Sequence, residues 1–405
     1  MQPAPAPEGF AVLDEPFFTD ENLNDSRRIY AKLRDLGDAV WVPEIEQLAV
    51  ARFDDVVSAA RANDTLISSK GVSLNAVLNG MVDDPNAPRQ ISTILSDADD
   101  HRRYRRLELK ALGPSAMKQL RDQVETLADD LVARFATGET FDAMEEFTSF
   151  LPIDIVGGLV GLKGVDSQRM LQWATVLFDT FGPPHLDSVQ ASMMETLGFF
   201  EFMTQVTSDS VLPDSWAAQL FEAANNGEIT PEEAGGLIGD FVIPSLDTTI
   251  QATSQLLFQL GSTLGAFDRL REEPDLSTNA VYEAVRLATP LRGFSRYVSA
   301  DFALSESTLP AGSRAWLVFA AANRDERHYD DPDRFDLDRS ARDQVGWGHG
   351  AHLCVGKHLA QLEMESILAA LLRRVDRIEV EEPVALTNNQ VQGFKQLPLR
   401  LVPKS

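Results

Sequence analysis

The sequence predicts a mainly α fold with small β-sheets. From Asp20 to about Leu287, apolar residues recur at three- and four-residue intervals with few alternating β-branched runs, the pattern of amphipathic helices. Strand-like alternation is confined to Ala39–Val42 and Gln47–Arg52 near the N-terminus and to Arg296–Phe319, where Pro310-Ala311-Gly312 supplies a turn. No repeat, low-complexity tract or Gly/Ser linker divides the 405 residues, so one mixed domain is expected over 1–405. Its helix-rich body should occupy about 53–290 and 355–375, with sheet at about 39–52, 296–319 and 380–403.

The opening MQPAPAPEGF reads as an extended lead-in. Further on, Thr230-Pro231-Glu232-Glu233 combines a hydroxyl cap, a proline at the first helical position and a glutamate three residues after the cap, which starts a long helix. Its apolar pattern continues through Leu260 although Pro244 interrupts it. A proline there removes a backbone donor and clashes with the carbonyl of Asp240, so the helix must kink or open around Pro244, Ser245 and Leu246. Asp247-Thr248-Thr249 follows, placing an acid and a hydroxyl beside the opened turn. A last helical pattern resumes at Val355 and runs to about Arg374.

Composition sets the function classes. Hydrophobic residues at 44% and charged residues at 24% describe a packed globular chain. Against 36 Lys and Arg stand 62 Asp and Glu, a net charge of −26, so nucleic acid and anionic lipid should be repelled by the molecule as a whole. The first basic residue is Arg27, which argues against secretory and transit leaders, and the longest apolar run, Ala315–Ala322, is far too short for a membrane helix. A cytoplasmic protein with no nucleic-acid or membrane partner is expected. The one cysteine, Cys354, excludes an intrachain disulfide and Cys-rich metal sites.

That cysteine sits in Trp347-Gly348-His349-Gly350-Ala351-His352-Leu353-Cys354-Val355-Gly356, just ahead of a helix whose N-terminus would favour a thiolate. Four readings are open. It is a structural cysteine in a glycine-rich turn, a zinc ligand together with His349, His352 and His358, a nucleophile with His352 as base, or the axial ligand of a haem.

The segment resembles the haem-thiolate signature of the cytochrome P450 family, Phe-Gly-x-Gly-x-His-x-Cys-x-Gly, in every position but the first, where Trp347 replaces phenylalanine. The resemblance runs from about residue 15 to residue 403. It implies a P450-like fold in which haem b (iron protoporphyrin IX) lies between the long central helix and the cysteine-loop helix. A thiolate axial ligand donates electron density that favours O–O cleavage. Trp347, Gly348 and Gly356 would shape the loop around Cys354. Glu283 and Arg286 match the family's Glu-x-x-Arg, and Arg334 in Pro332-Asp333-Arg334-Phe335 matches the third member of that structural ion-pair triad. His101, Arg105, Arg296 and His352 match the partners of the haem propionates. Asp247 and Thr248 match the acid and alcohol pair that delivers protons during dioxygen chemistry, and so imply use of O2 and two electrons rather than peroxide.

Ser68–Leu74, Phe178–Pro184 and Val391–Phe394 look most like the bacterial branch that oxidises para-alkoxybenzoates. The resemblance puts Phe178 and Phe181 against a small aromatic ring, with Ser73, Asn75, Ile243, Leu291 and Phe294 around it. That branch has arginine and serine where this chain has Gly239 and Asp240. An aspartate would repel a benzoate, although Lys70, Ser73 and Asn75 would supply a cation and donors for an anionic aromatic; a phenolic or neutral methoxylated ring, hydrogen-bonded by Asp240 or Asn75, fits the substitutions better. The expected reaction is hydroxylation or O-demethylation of a small aromatic compound. The alternatives are a terpenoid or natural-product hydroxylase and a non-catalytic haem sensor, against which the acid and alcohol pair argues. With no Gly-x-Gly-x-x-Gly and no flavin domain, electrons should come from an acidic ferredoxin and its NAD(P)H-dependent reductase, docking on a basic patch of Arg102, Arg103, Arg106, Lys110 and Lys357.

Overall fold

The computed structural model describes residues 5–87 and 89–404; the first four residues of the lead-in lie outside them. Helices dominate, and the strands gather into one six-stranded sheet, one three-stranded sheet and two small hairpins. In the larger sheet Val40–Val42 pairs antiparallel with Gln47–Val50, which runs parallel to Arg314–Leu317; that strand pairs antiparallel with Phe294–Val298. The turn at Gly312 has φ +86°, a left-handed conformation that glycine adopts without the Cβ penalty. The three-stranded sheet joins Val375–Val380, Pro398–Pro403 and Thr140–Asp142. The last of these lies within the stretch whose pattern reads as helical. It is three residues long, too short to show a period, and the Asp142 side chain at its end caps the next helix by accepting from Met144 N–H.

The helix predicted to start at Thr230 does so. Thr230 accepts from Glu233 N–H, the Glu233 carboxylate accepts from Thr230 N–H, and Pro231 occupies the first turn. The helix is broken twice, into Pro231–Leu237, Gly239–Val242 and Asp247–Ser262. The second break falls at Pro244–Leu246 as expected from the proline. The first follows Gly235 and Gly236, residues that weaken a helix interior.

A large buried apolar core runs from Tyr104 through the helices Asp247–Ser262, Ser277–Ala288 and Lys357–Arg374 to Leu401. Two smaller clusters pack the two faces of the six-stranded sheet, one containing Trp316 and the other Leu317, successive residues of one strand that point to opposite sides. The helix Asp247–Ser262 and the cysteine loop face each other across a cavity of about 320 Å³.

Candidate active site

The cysteine loop is held by its own backbone. Cys354 N–H donates to the Trp347 carbonyl at 2.8 Å, and Gly348 and Gly350 take φ of +72° and +71°. At Gly350 a Cβ would meet the Ala60 carbonyl oxygen at 2.3 Å, so only glycine fits. Cys354 lies two residues before the cap of the helix Lys357–Arg374 and lines the cavity. Burial pushes its thiol up, and the N–H groups of Gly356 and Lys357 and the charge of Arg105 offset that only in part. Trp347 is packed by the edge of Tyr282, with centroids 4.9 Å apart, and the Lys357 ammonium sits 4.8 Å from its ring centroid.

Basic groups gather at one end of the cavity. Arg105, from the helix Ala98–Leu112, donates to the Leu353 carbonyl. Arg296, from the strand Phe294–Val298, is buried and, among the described residues, bonds the Ser295 carbonyl alone, at 2.8 Å; burial brings it down to about 10. His101 and His352 have ring centroids 4.4 Å apart, and burial brings His101 down to about 4 and lowers His352. His352 Nε2 is 3.2 Å from Ser68 Oγ, while His101 Nε2 is buried with no hydrogen-bond partner among the described residues. His349 instead meets Arg61, at 2.9 Å, and among the described residues no group of three or more His, Cys, Asp or Glu side chains could hold a metal ion, which removes the zinc reading.

Pro244, Ser245 and Thr248 line the opposite wall. The helix break frees the Pro244 carbonyl, which accepts the Thr248 hydroxyl at 2.7 Å. Asp247 points elsewhere. Its carboxylate accepts from Thr175 Oγ1 at 2.8 Å, and burial raises it to about 6. The acid and the alcohol are neighbours in sequence but serve different surroundings.

A match to the cytochrome P450 family profile spans residues 154–400. The chain belongs to the cytochrome P450 family. It is 33% identical over 376 residues to cytochrome P450 CYP199A2 of Rhodopseudomonas palustris, covering 92% of this chain and 90% of that protein. It is 27% identical over 390 residues to linalool 8-monooxygenase of Pseudomonas putida, covering 93% and 95%. The fold is similar to that of CYP108D1 from Novosphingobium aromaticivorans, with a TM-score of 0.80 and 24% identity over 95% of this chain and 97% of that one.

As a cytochrome P450 the chain is a monooxygenase, and the family carries haem b on a cysteine thiolate. The cavity fits that group. Among the described residues Arg296 is a buried guanidinium in no ion pair, and His101 Nε2, on the ring packed against His352, is a buried polar atom without a hydrogen-bond partner, as an anionic substituent such as a propionate requires. Cys354 opens into the same cavity, where the loop backbone brings N–H groups to its sulfur.

Three expectations need correction. Arg334 is not the third member of the ion-pair triad: it is exposed and pairs with Asp336 at 2.6 Å. Phe335 is buried, so its neighbour faces solvent, and Arg339 reaches Glu283 instead, at 3.1 Å. Glu283 and Arg286 themselves are fully buried and joined by two hydrogen bonds of 2.7 Å. Asn75 is not in the cavity wall: its amide donates to the Thr180 carbonyl at 2.9 Å and its oxygen caps the helix Ala76–Met81 through Val77 N–H. Lys70 is tied to Asp83 at 2.8 Å on the surface.

The other proposed pocket residues, Ser73, Phe178, Phe181, Asp240, Ile243, Leu291 and Phe294, all line the cavity. So do Ile91–Leu95, Phe199 and Glu108, which the sequence did not single out. The first is a short segment, one turn of 3-10 helix capped by Ser92, too brief to show periodicity. Phe199 is one of many helix aromatics, and Glu108 would be noticed only by asking why a carboxyl occupies the buried face of its helix.

Proposed function

We propose that this monooxygenase hydroxylates or O-demethylates a small, uncharged aromatic compound, such as a methoxylated phenol of the lignin-derived type, in the cytoplasm. The observation that carries the reading is the aromatic wall. Phe178 and Phe181 meet edge to face with centroids 6.1 Å apart, and Phe181 meets Phe294 in the same way at 6.3 Å, so three rings form perpendicular walls suited to a flat guest. Asp240 provides the polar point on that wall and disfavours a benzoate by like charge.

Bound haem b supplies dioxygen activation for insertion of one oxygen atom into the substrate. This chain's own groups do the rest. Cys354 holds the cofactor, with Arg105, Arg296, His101 and His352 receiving its acidic substituents. Thr248 donates its hydroxyl to the Pro244 carbonyl and stands on the cavity wall. Asp247, raised to about 6 by burial and bonded to Thr175 Oγ1, exchanges protons behind the same helix turn, off the cavity wall. Electrons come from an acidic ferredoxin and its NAD(P)H-dependent reductase.

A panel of methoxyphenols, methoxybenzoates and linalool, scored by the spin-state shift of the ferric haem, tests the substrate class. Methoxyphenols should produce the largest shift at the lowest concentration. Saturation by linalool alone would replace the aromatic reading with a terpenoid one.

A further inference from the structure

The cavity contains a buried acid that the reaction as described does not use. Glu108 lies one turn beyond Arg105 on the helix Ala98–Leu112, is 2% exposed and lines the cavity. Its carboxyl group meets that of Asp240, which reaches the same point from Gly239–Val242. Thr93 joins the two: its hydroxyl donates to Glu108 Oε1 at 2.6 Å and its N–H donates to Asp240 Oδ2 at 2.7 Å. The Ser92 hydroxyl also donates to Asp240. Among the described residues no basic side chain forms an ion pair with either acid. Arg105 turns to the Leu353 carbonyl, and Arg89, on the same wall, pairs with Glu232 at 3.1 Å.

Two adjoining buried carboxyls do not both ionise readily, because each charge opposes the other and neither is solvated. Burial raises both acids, and the charge of Asp240 raises Glu108 further. The pair therefore retains a proton and offers both a donor and an acceptor at one end of an aromatic cavity. A neutral hydroxyl satisfies both, donating to one oxygen and accepting from the other. A carboxylate brings a further negative charge beside two buried acids that have no ion-pair partner among the described residues; Arg105, one turn away and bonded to the Leu353 carbonyl, offsets Glu108 only through its charge.

We propose that Glu108 is a specificity-determining residue: with Asp240 it forms the polar end of the cavity, takes the hydroxyl of a neutral substrate and turns carboxylates away. This deepens the aromatic reading, and rests on it for the ring but not for the hydroxyl. A site built to hydrogen-bond a substrate hydroxyl discriminates strongly against analogues that leave its buried groups unpaired.

The test uses the holoenzyme and reads dissociation constants from the ferric spin-state shift. Wild type, Glu108→Gln and the double variant Glu108→Gln with Asp240→Asn are compared on 4-methoxyphenol, 4-methoxybenzoate and 4-methylanisole, which has the ring without the polar group. Decanol and decanoate form a second pair without a ring. Glutamine keeps an acceptor for the Thr93 hydroxyl, so the Ile91–Leu95 segment stays anchored.

In wild type the phenol should bind at least about tenfold more tightly than the benzoate. Glu108→Gln should weaken the phenol several-fold while leaving 4-methylanisole unchanged, and the double variant should lose the preference for phenol over benzoate. A phenol-to-benzoate ratio constant across the three proteins overturns the proposal, and so does a parallel loss for 4-methylanisole, which marks a structural role. If no aromatic compound shifts the spin state, the aromatic reading fails and the aliphatic pair decides: the decanol-to-decanoate ratio must fall in the double variant. A constant ratio, or binding of neither, overturns the role of Glu108.

Discussion

At Thr248 one hydrogen bond combines fold and function. The carbonyl released by Pro244 needs a donor, and the hydroxyl that supplies it stands on the cavity wall. Thr248→Ala leaves that carbonyl short of a partner at an already open turn but removes no surface that a substrate would need. We expect the spin-state titration to stay within about twofold of wild type, while product formed per NAD(P)H falls several-fold and hydrogen peroxide rises to match, since proton delivery during catalysis by a placed group is worth far more than its share of ground-state binding. Unaltered coupling would remove Thr248 from proton delivery. Residues such as Cys354 and Thr248 were legible in the sequence because their chemistry depends on immediate neighbours: glycines that permit φ near +70°, and a proline that opens a turn. Asn75 was misread for the complementary reason. Its amide serves the Thr180 carbonyl, a partner 105 residues away that no local pattern reveals.

Among the elements, the helix Ser277–Ala288 shows which ion pairs matter. Arg286 binds Glu283 and the carbonyls of Asn323 and Pro332 at 2.7 Å each, with the Tyr329 ring 4.8 Å from its guanidinium carbon. Arg339 completes the cluster, whereas Arg334 adds only its own carbonyl. Glu283 keeps its two bonds to Arg286 when Arg339 is removed, so Arg339→Met should cost about 1–3 kcal/mol, less than breaking the buried pair itself. Arg334→Ala, at an exposed site, should change stability by no more than about 0.5 kcal/mol. Thermal unfolding of the two variants separates the roles, and the reverse order would restore Arg334. The helix Lys357–Arg374 carries a different buried charge. Glu363 is 2% exposed, its Oε1 has no hydrogen-bond partner among the described residues, and burial raises it to about 8. The folded state thus holds a proton that the unfolded chain releases near its ordinary value of 4.5, so this group stabilises the fold least at high pH, its contribution falling as pH rises from about 4.5 to 8. Glu363→Gln should raise the melting temperature at pH 8.5 relative to wild type and change it little at pH 5. An equal shift at both values would show that Glu363 does not titrate in this window. Helix starts and the proline break were readable here because caps and prolines act within a turn. The Thr140–Asp142 strand was not, since its pairing with Pro398–Pro403 is supplied from the far end of the chain.

For the whole molecule, a net charge of −26 opposes approach of any acidic electron donor. Productive encounter then depends on local cations within a Debye length of about 8 Å at physiological salt. The structure narrows which of the basic side chains can serve. Arg103 is committed to Glu233 at 2.7 Å and to Asp100 at 2.9 Å, and Glu233 in turn binds the Tyr104 hydroxyl at 2.6 Å and caps its own helix, so Arg103 belongs to the framework. Arg106 and Lys110 share Glu228. Arg102 is exposed and, among the described residues, paired only with the still more exposed Asp99 three residues away, an arrangement worth little in water. Lys357 adjoins Gly356 at the mouth of the cysteine loop, over the Trp347 ring. Charge reversal at Arg102 and Lys357 should therefore slow first-electron transfer from an acidic ferredoxin while leaving substrate binding intact, and the wild-type rate should fall as salt rises above the physiological range. Arg103→Glu should instead lower the melting temperature, because it sets a carboxylate against Glu233. Stopped-flow reduction that is insensitive both to salt and to reversal at Arg102 and Lys357 would place the docking surface elsewhere on the molecule.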